Sequence, residues 1–340
     1  MKLKFNALSI LFSLSLSTIL AIYLFTGSTN ESHDNEKFED TFKDHYKIYA
    51  LNIPEHIDFA GEQVPLRLID VKEKFDRELL VNTYWQSQTM LFIKRSHRWF
   101  PVIEPILKEQ GVPDDFKYLA LIESGLTDVV SPAGATGFWQ LMKDAAKENG
   151  LIIDGGVDER YHVEKATIAA CSYLKSARER FGSWTLAAAS YNMGKAGLDK
   201  QLERQKATNY YDLVLNDETS RYIFRILAAK LILSNPHDFG FQFREQDLYA
   251  KLKYEEVDVD TSINSLVDFA FANGVNYKAL KYLNPWLRDN YLSNASGRRF
   301  TIKIPNGPLT DQLVNDKEQV ATFTRPKSDE QQIDTTGGDD

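Results

Sequence analysis

The sequence predicts a mainly α protein with a small βααβ unit toward its C-terminus. Apolar residues recur at spacings of three and four from about Phe75 to just before Pro236, and glycines stand where those runs stop. Period-two alternation becomes clear only after Phe239.

Bulk composition narrows the classes. A 340-residue chain that is 43% hydrophobic and 12% aromatic carries enough apolar surface for a packed core, which excludes an intrinsically disordered protein. Net charge is −8 and no dense basic tract occurs, so nucleic acid is not an expected partner. The one basic cluster, Lys94-Arg95-Ser96-His97-Arg98, reads as a solvated helix face. Cys171 is the single cysteine; no internal disulfide can form, and its small-residue setting reads as core packing. The six histidines are scattered without paired ligand spacing, so no metal and no cofactor is expected.

Residues 1–27 read as a signal anchor or signal peptide. Lys2 and Lys4 precede an uncharged run whose apolar part, about Ala7 to Phe25, is long enough to cross a bilayer with its basic flank inside. An uncleaved anchor over residues 6–26 is the expectation, which would make the membrane a partner; cleavage near Thr26-Gly27-Ser28 is the alternative. No cysteine stands near the end of the segment, which excludes a lipoprotein anchor. The remainder is expected to work outside the cytoplasm.

Residues 28–74 read as a spacer and extended arm. Ser28 to Lys47 is polar and aperiodic, and Tyr49 to Ile69 is broken by Pro54, Gly61 and Pro65 into brief strands or extended pieces. Next comes a helical stretch over 75–240. Met90, Ile93, His97 and Phe100 share a face, Pro101 interrupts it, and Val102, Ile103 and Ile106 resume it up to Gly111. Pro113-Asp114-Asp115 starts a helix that Gly125 ends. Phe138, Leu141, Met142, Ala145 and Ala146 then predict a helix ending at Gly150, and Ala166 to Phe181 another ending at Gly182. Ser183 caps Trp184 to Met193, after which Gly194-Lys-Ala-Gly197 reads as a flexible turn. Asp217 opens a longer helix with Ile223, Ile226, Leu227 and Leu231 inward. In residues 241–310, Lys251 to Asp260 and Phe300 to Ile304 alternate like strands around two short helices, Ile263 to Asn273 and Tyr277 to Leu283. Residues 311–340 read as a disordered acidic tail.

Chemistry centres on Tyr118-Leu-Ala-Leu-Ile-Glu-Ser-Gly-Leu126. Glu123 falls in the last turn of an apolar helix, where the helix dipole presents partial negative charge. Dipole and apolar neighbours both disfavour the ionised form, so its pKa should rise toward the range useful to a general acid. A solvated last-turn glutamate is the bland alternative. Three other stretches accompany it: Ser131-Pro-Ala-Gly-Ala-Thr-Gly-Phe-Trp-Gln-Leu-Met142, with Gln140 off the apolar stripe; Ala187-Ala-Ala-Ser-Tyr-Asn-Met-Gly194, ending on Tyr191 and Asn192; and Glu218-Thr-Ser-Arg-Tyr222. Asp158-Glu159-Arg160 reads as a surface turn and cap, with a place in a family resemblance as the other reading.

Taken together in this order, the four segments resemble those of the lysozyme-like lytic murein transglycosylases, glycoside hydrolase family 23, and within it the membrane-bound lytic murein transglycosylase D group. The resemblance covers about Leu91 to Ser234. It implies an α+β lysozyme-like catalytic domain over 75–240 with a cleft for peptidoglycan glycan strands. Glu123 would be the single catalytic acid/base, and Ser124, Ser131, Gln140, Met142, Tyr191, Asn192 and Tyr222 would bind substrate. By that family's chemistry, Glu123 would protonate the bond between MurNAc and GlcNAc, the substrate's N-acetyl group would assist, and Glu123 would then deprotonate the MurNAc C6 hydroxyl to close a 1,6-anhydro ring without water. Two-carboxylate glycosidases work otherwise.

Downstream, Leu266, Asn273-Gly274-Val275, Leu283-Asn284-Pro285 and Phe300-Thr-Ile-Lys-Ile-Pro305 resemble a LysM peptidoglycan-binding module. It departs from that pattern at Asp260-Thr-Ser-Ile-Asn264 and in the long Trp286 to Gly297 segment, so a plain packing unit is the alternative. Two other functions compete with the lyase. One is a goose-type lysozyme, for which Asp128 or Asp154 would have to position water. The other is a non-catalytic peptidoglycan-binding or scaffold protein. Protein partners are not legible.

Overall fold

The computed structural model describes residues 48–306. Residues 53–306 belong to one compact unit; of the preceding unit, residues 1–52, only 48–52 are described. The expected anchor and the expected acidic tail lie outside the described residues. Among the described residues no helix is long and apolar enough to cross a membrane.

The arm forms a two-residue hairpin, β1 (Asp58–Phe59) with β2 (Glu62–Gln63), ahead of α1 (Ile69–Tyr84). That helix starts earlier than Phe75 because Val71, Phe75 and Leu79 recur at four-residue spacing and are all buried. Helix α2 (Gln86–Glu109) then runs unbroken through Pro101 and Pro105, against expectation. Both prolines are exposed and four residues apart, so their missing N–H groups lie on the water side, where carbonyls can tilt out. Phe92, Ile93, Ile103 and Leu107 bury the opposite side. That burial outweighs a proline cost of about 3 kcal/mol each.

Helix α3 (Phe116–Ser124) is followed by a loop and the short α4 (Lys143–Glu148), then by a hairpin of β3 (Ile153–Asp154) and β4 (Val157–Asp158). Helices α5 (Val163–Phe181), α6 (Trp184–Met193), α7 (Lys195–Gln205) and α8 (Asp217–Ser234) complete the helical part. Two expectations fail here. Phe138 to Met142 is not helical: Thr136 and Leu141 exchange backbone hydrogen bonds of 3.1 and 3.2 Å across a tight turn, with Gly137 at φ +78° and Gln140 at φ +46°. Left-handed residues at that spacing cannot propagate an α-helix. Nor is Gly194-Lys-Ala-Gly197 a flexible turn. Gly194 alone breaks the chain, at φ +82° and ψ 146°, and α7 begins at Lys195.

In the C-terminal unit, β5 (Tyr254–Val259) pairs antiparallel with β6 (Phe300–Pro305) from Tyr254↔Pro305 to Val259↔Phe300, with α9 (Leu266–Ala272) and α10 (Tyr277–Leu283) between them. This is the expected βααβ order. Its core joins Leu266, Leu280, Trp286, Phe300 and Ile302 to Val157 and Tyr161 of the helical part. The long segment after Trp286 explains the junction. Arg288 N donates to Gly156 O at 2.7 Å and Asp158 N to Trp286 O at 2.9 Å, so the β3–β4 hairpin is stitched to the unit through backbone. The basic cluster of α2 is likewise not a solvated face. Arg98 donates to Ala250 O at 2.8 Å and to the Tyr282 hydroxyl at 3.0 Å, and His97 Nδ1 lies 3.1 Å from Tyr249 O.

Candidate active site

Glu123 occupies the last turn of α3, and Gly125 closes the helix in the left-handed region at φ +63°. Buried Tyr118, Leu119, Leu121 and Ile122 fix the helix against the core. From α8, the fully buried Tyr222 donates its hydroxyl hydrogen bond to Glu123 Oε1. One turn further along, Arg225 donates to Ile122 O at 3.0 Å and so holds the carbonyl end of α3. Burial pushes the Glu123 carboxyl above its ordinary value; the Tyr222 hydrogen bond and the Arg225 charge pull it back, and the Glu218 charge adds to the rise.

Helix α6 brings the second group of side chains. Ser183 caps it, accepting from Leu186 N, and the small residues Ala187, Ala188 and Ala189 are buried. Tyr191 at its end donates to Trp139 O at 2.6 Å and stacks edge-on against Tyr173 with centroids 5.3 Å apart. Burial raises the Tyr191 phenol well above its usual value, and the Glu123 charge raises it further. Asn192 links to α8 twice: its Oδ1 accepts from the Thr219 hydroxyl at 2.7 Å and its Nδ2 donates to Glu218 Oε1 at 2.9 Å. Glu123, Tyr222, Tyr191 and the Asn192–Glu218 pair therefore form one electrostatic group.

The loop between α3 and α4 is the third part. Ser124 Oγ donates to Phe138 O at 2.9 Å and accepts from Leu126 N at 3.1 Å, so this hydroxyl ties the loop to the helix end. Ser131 Oγ accepts from Ala135 N at 3.0 Å within the loop. Gln140 Nε2 donates to Val129 O and Gly137 O, at 3.0 and 2.9 Å, and Met142 is 47% exposed just before α4. Ser131, Gln140 and Met142 make no hydrogen bond to Glu123 among the described residues.

Sequence reasoning gave no part in the site to Arg160, Glu218 or Arg225. Asp158-Glu159-Arg160 is not a surface turn: Arg160 pairs with Asp158 at 2.8 Å, both side chains are nearly buried, and Arg160 Nη1 clasps the loop through Gly134 O and Leu141 O. Glu218 and Arg225 were passed over although Glu218, Tyr222 and Arg225 recur at helix spacing, which lays them on one face of α8. Asp128 and Asp154 face elsewhere. Asp154 pairs with Arg298 at 3.1 Å, Asp128 responds to Arg288, and neither is among the charges acting on Glu123. Cys171 is buried and reduced, its thiol pushed by burial to about 12, as packing requires. No cluster of metal-ligating residues occurs among the described residues.

Comparison with known proteins gives a likeness for each part. Residues 100–214 match the transglycosylase SLT domain, and residues 255–308 match the soluble lytic transglycosylase C-terminal LysM-like domain. The chain carries an SLT domain and a LysM-like domain. It is homologous to the membrane-bound lytic murein transglycosylase D of Escherichia coli strain K12, with 25% identity over 264 residues, 75% of this chain and 56% of the relative. The same protein from Escherichia coli O6:H1 matches with the same identity and coverage. The chain thus spans 56% of the length of the curated relatives it matches. Glu123, Tyr191 and Asn192 fall inside the SLT match, whereas Glu218, Tyr222 and Arg225 lie beyond residue 214.

Proposed function

We propose that the chain is a lytic transglycosylase that cleaves the MurNAc–GlcNAc β-1,4 bond of peptidoglycan glycan strands and leaves 1,6-anhydro-MurNAc ends. The observation that carries the reading is the Glu123 carboxyl, held partly out of water with Tyr222 as its hydrogen-bond donor. A carboxyl with a raised pKa holds its proton to higher pH than a solvated one and can protonate the glycosidic oxygen. Once ionised, it is the base for the C6 hydroxyl, and the Tyr222 hydroxyl stabilises that carboxylate. Ser124 and Tyr191 act through the loop: each holds a backbone carbonyl, of Phe138 and Trp139, so that Ser131, Gln140 and Met142 are offered along one wall of the cleft. The LysM-like domain would add affinity for the same glycan. Such an enzyme would work on the periplasmic side of a bacterial envelope, anchored through residues 6–26.

One observation favours a second reading, hydrolysis of the lysozyme type. Glu218 is a second carboxylate whose charge reaches Glu123, and two-carboxylate glycosidases use such a group to activate water. Its Oε1 already accepts from Asn192, which supports a structural part for it. Mass spectrometry of products from purified glycan strands separates the two. Anhydro ends are expected, and they should vanish in Glu123→Gln; reducing MurNAc ends would replace the lyase by a hydrolase.

A further inference from the structure

A second concave space lies away from Glu123. A cavity of about 440 Å³ opens between the SLT domain and the LysM-like domain, walled on one side by α2 and the start of α5 and on the other by α10, β5 and the segment around Trp286. That volume falls in the range of about 300–1,000 Å³ usual for small-molecule sites. Glu123, Tyr191 and Tyr222 are not among its walls.

Its lining is unusual for this chain. Five cationic side chains face it against the carboxylates of Asp128 and Glu164, in a protein whose net charge is −8. Glu164 is already paired with Lys303, and burial pushes the Asp128 carboxyl up to about 6 against the pull of the Arg288 charge. Arg98 is positioned by its bonds to Ala250 O and Tyr282, while Lys251 is exposed and makes no ion pair among the described residues. Aromatic faces complete the walls: Trp99, Tyr254, Tyr282 and Trp286. Planar aromatic surfaces beside fixed and free cations suit a ring carrying a carboxylate.

We propose that this cavity binds a short carboxylate-bearing sugar of the muramyl class, a fragment of the material the catalytic cleft cuts. The identification of the sugar rests on the transglycosylase reading; the anionic, ring-bearing character rests on the walls alone. A short fragment fits better than a continuous strand because both domains close on the space. Ligand held there contacts the two domains at once and stiffens their junction, which is already stitched by the Gly156, Asp158 and Trp286 backbone bonds.

The test uses the full chain carrying Glu123→Gln, so that binding is read without turnover. N-acetylmuramic acid and N-acetylglucosamine, which differ by the lactyl carboxylate, are titrated while the fluorescence of Trp99 and Trp286 and the heat of binding are followed. Saturable binding is expected, at least tenfold tighter for N-acetylmuramic acid. Lys251→Glu should weaken it by roughly tenfold or more, with thermal unfolding unchanged because that side chain is exposed, and Tyr282→Phe, which keeps the ring but drops the hydroxyl that holds Arg98, should weaken it by a smaller factor. Equal affinities, no saturable binding, or binding untouched by both substitutions would overturn the proposal. Failure of the lyase reading appears separately, in the product masses of the unsubstituted enzyme.

Discussion

The Tyr222 hydroxyl donates to Glu123 Oε1 across the gap between α8 and α3, and both partners are withdrawn from water. The bond joins an element that the SLT match covers to one that lies beyond it. It also sets two opposing effects on one carboxyl: burial raises its pKa, and the phenol lowers it by solvating the ionised form. Removing the phenol therefore changes both rate and pH dependence.

Tyr222→Phe should lower kcat by about 10- to 100-fold, the range for losing one hydrogen bond of about 1.5–3 kcal/mol to a charged group. The lowering influence disappears, so the Glu123 pKa rises and the alkaline limb of the pH–rate profile moves to higher pH. A turnover assay on glycan strands across pH reads both. An unshifted limb would show that Glu123 is not the group titrating there.

Arg225→Met tests the charge that acts on the same carboxyl. Arg225 pulls the Glu123 pKa down through its charge, while its hydrogen bond goes to Ile122 O. The alkaline limb should again move upward, while kcat falls less than in Tyr222→Phe. Loss of the bond to Ile122 O adds a destabilisation of about 1–2 kcal/mol, seen in thermal unfolding.

Glu62 makes a prediction about stability. Its carboxylate, carried on β2, accepts from Ser183 Oγ at 2.7 Å, Trp184 N at 2.7 Å, Thr185 N at 2.9 Å and Thr185 Oγ1 at 2.7 Å, and so caps the helix that ends in Tyr191 and Asn192. Burial alone would raise its pKa, but these donors together depress it. A depressed carboxylate stabilises the fold above its unfolded value of 4.5, and that contribution is lost as pH falls through the folded value. Glu62→Gln should cost about 1–3 kcal/mol near neutral pH. Urea unfolding should show the difference shrinking once pH drops below 4.5, and a constant difference would mean the charge is irrelevant.

Much of this arrangement was legible beforehand, for identifiable reasons. Ser183, Gly182 and Gly194 mark α6 because caps and stops are local chemistry, and Glu123 stands out in the sequence because a carboxylate in an apolar last turn is a local anomaly. What escaped depends on distant partners. Arg160 looks like a turn residue until Gly134 O and Leu141 O are seen to need its donors, and the cluster Arg95 to Arg98 looks solvated until residues 249 and 250 cross it. The run Phe138 to Met142 misled because its apolar spacing fits a helix while its backbone obeys Gly137. Periodicity records which side chains are buried and leaves open which backbone buries them.

Gly137 is the position where that backbone has no alternative. At φ +78° it sits in a region that favours glycine, and a Cβ there would stand 2.1 Å from Arg160 O and 2.9 Å from Arg160 C. Those atoms are backbone and cannot rotate away. Gly137→Ala must therefore displace the loop, which pulls Phe138 O from Ser124 and Trp139 O from Tyr191. Left-handed strain of about 1–2 kcal/mol combines with overpacking of about 1–3 kcal/mol, for a total stability loss of roughly 2–5 kcal/mol. Activity should drop by more than tenfold in the fraction that stays folded, because the cleft wall moves with the loop. Gly134→Ala is the matched control: it has φ +87° with nothing within 4 Å of its Cβ, so only the strain remains. Thermal unfolding and turnover of the two variants side by side decide the matter, and equal losses would mean that the approach of Arg160 does not constrain the loop.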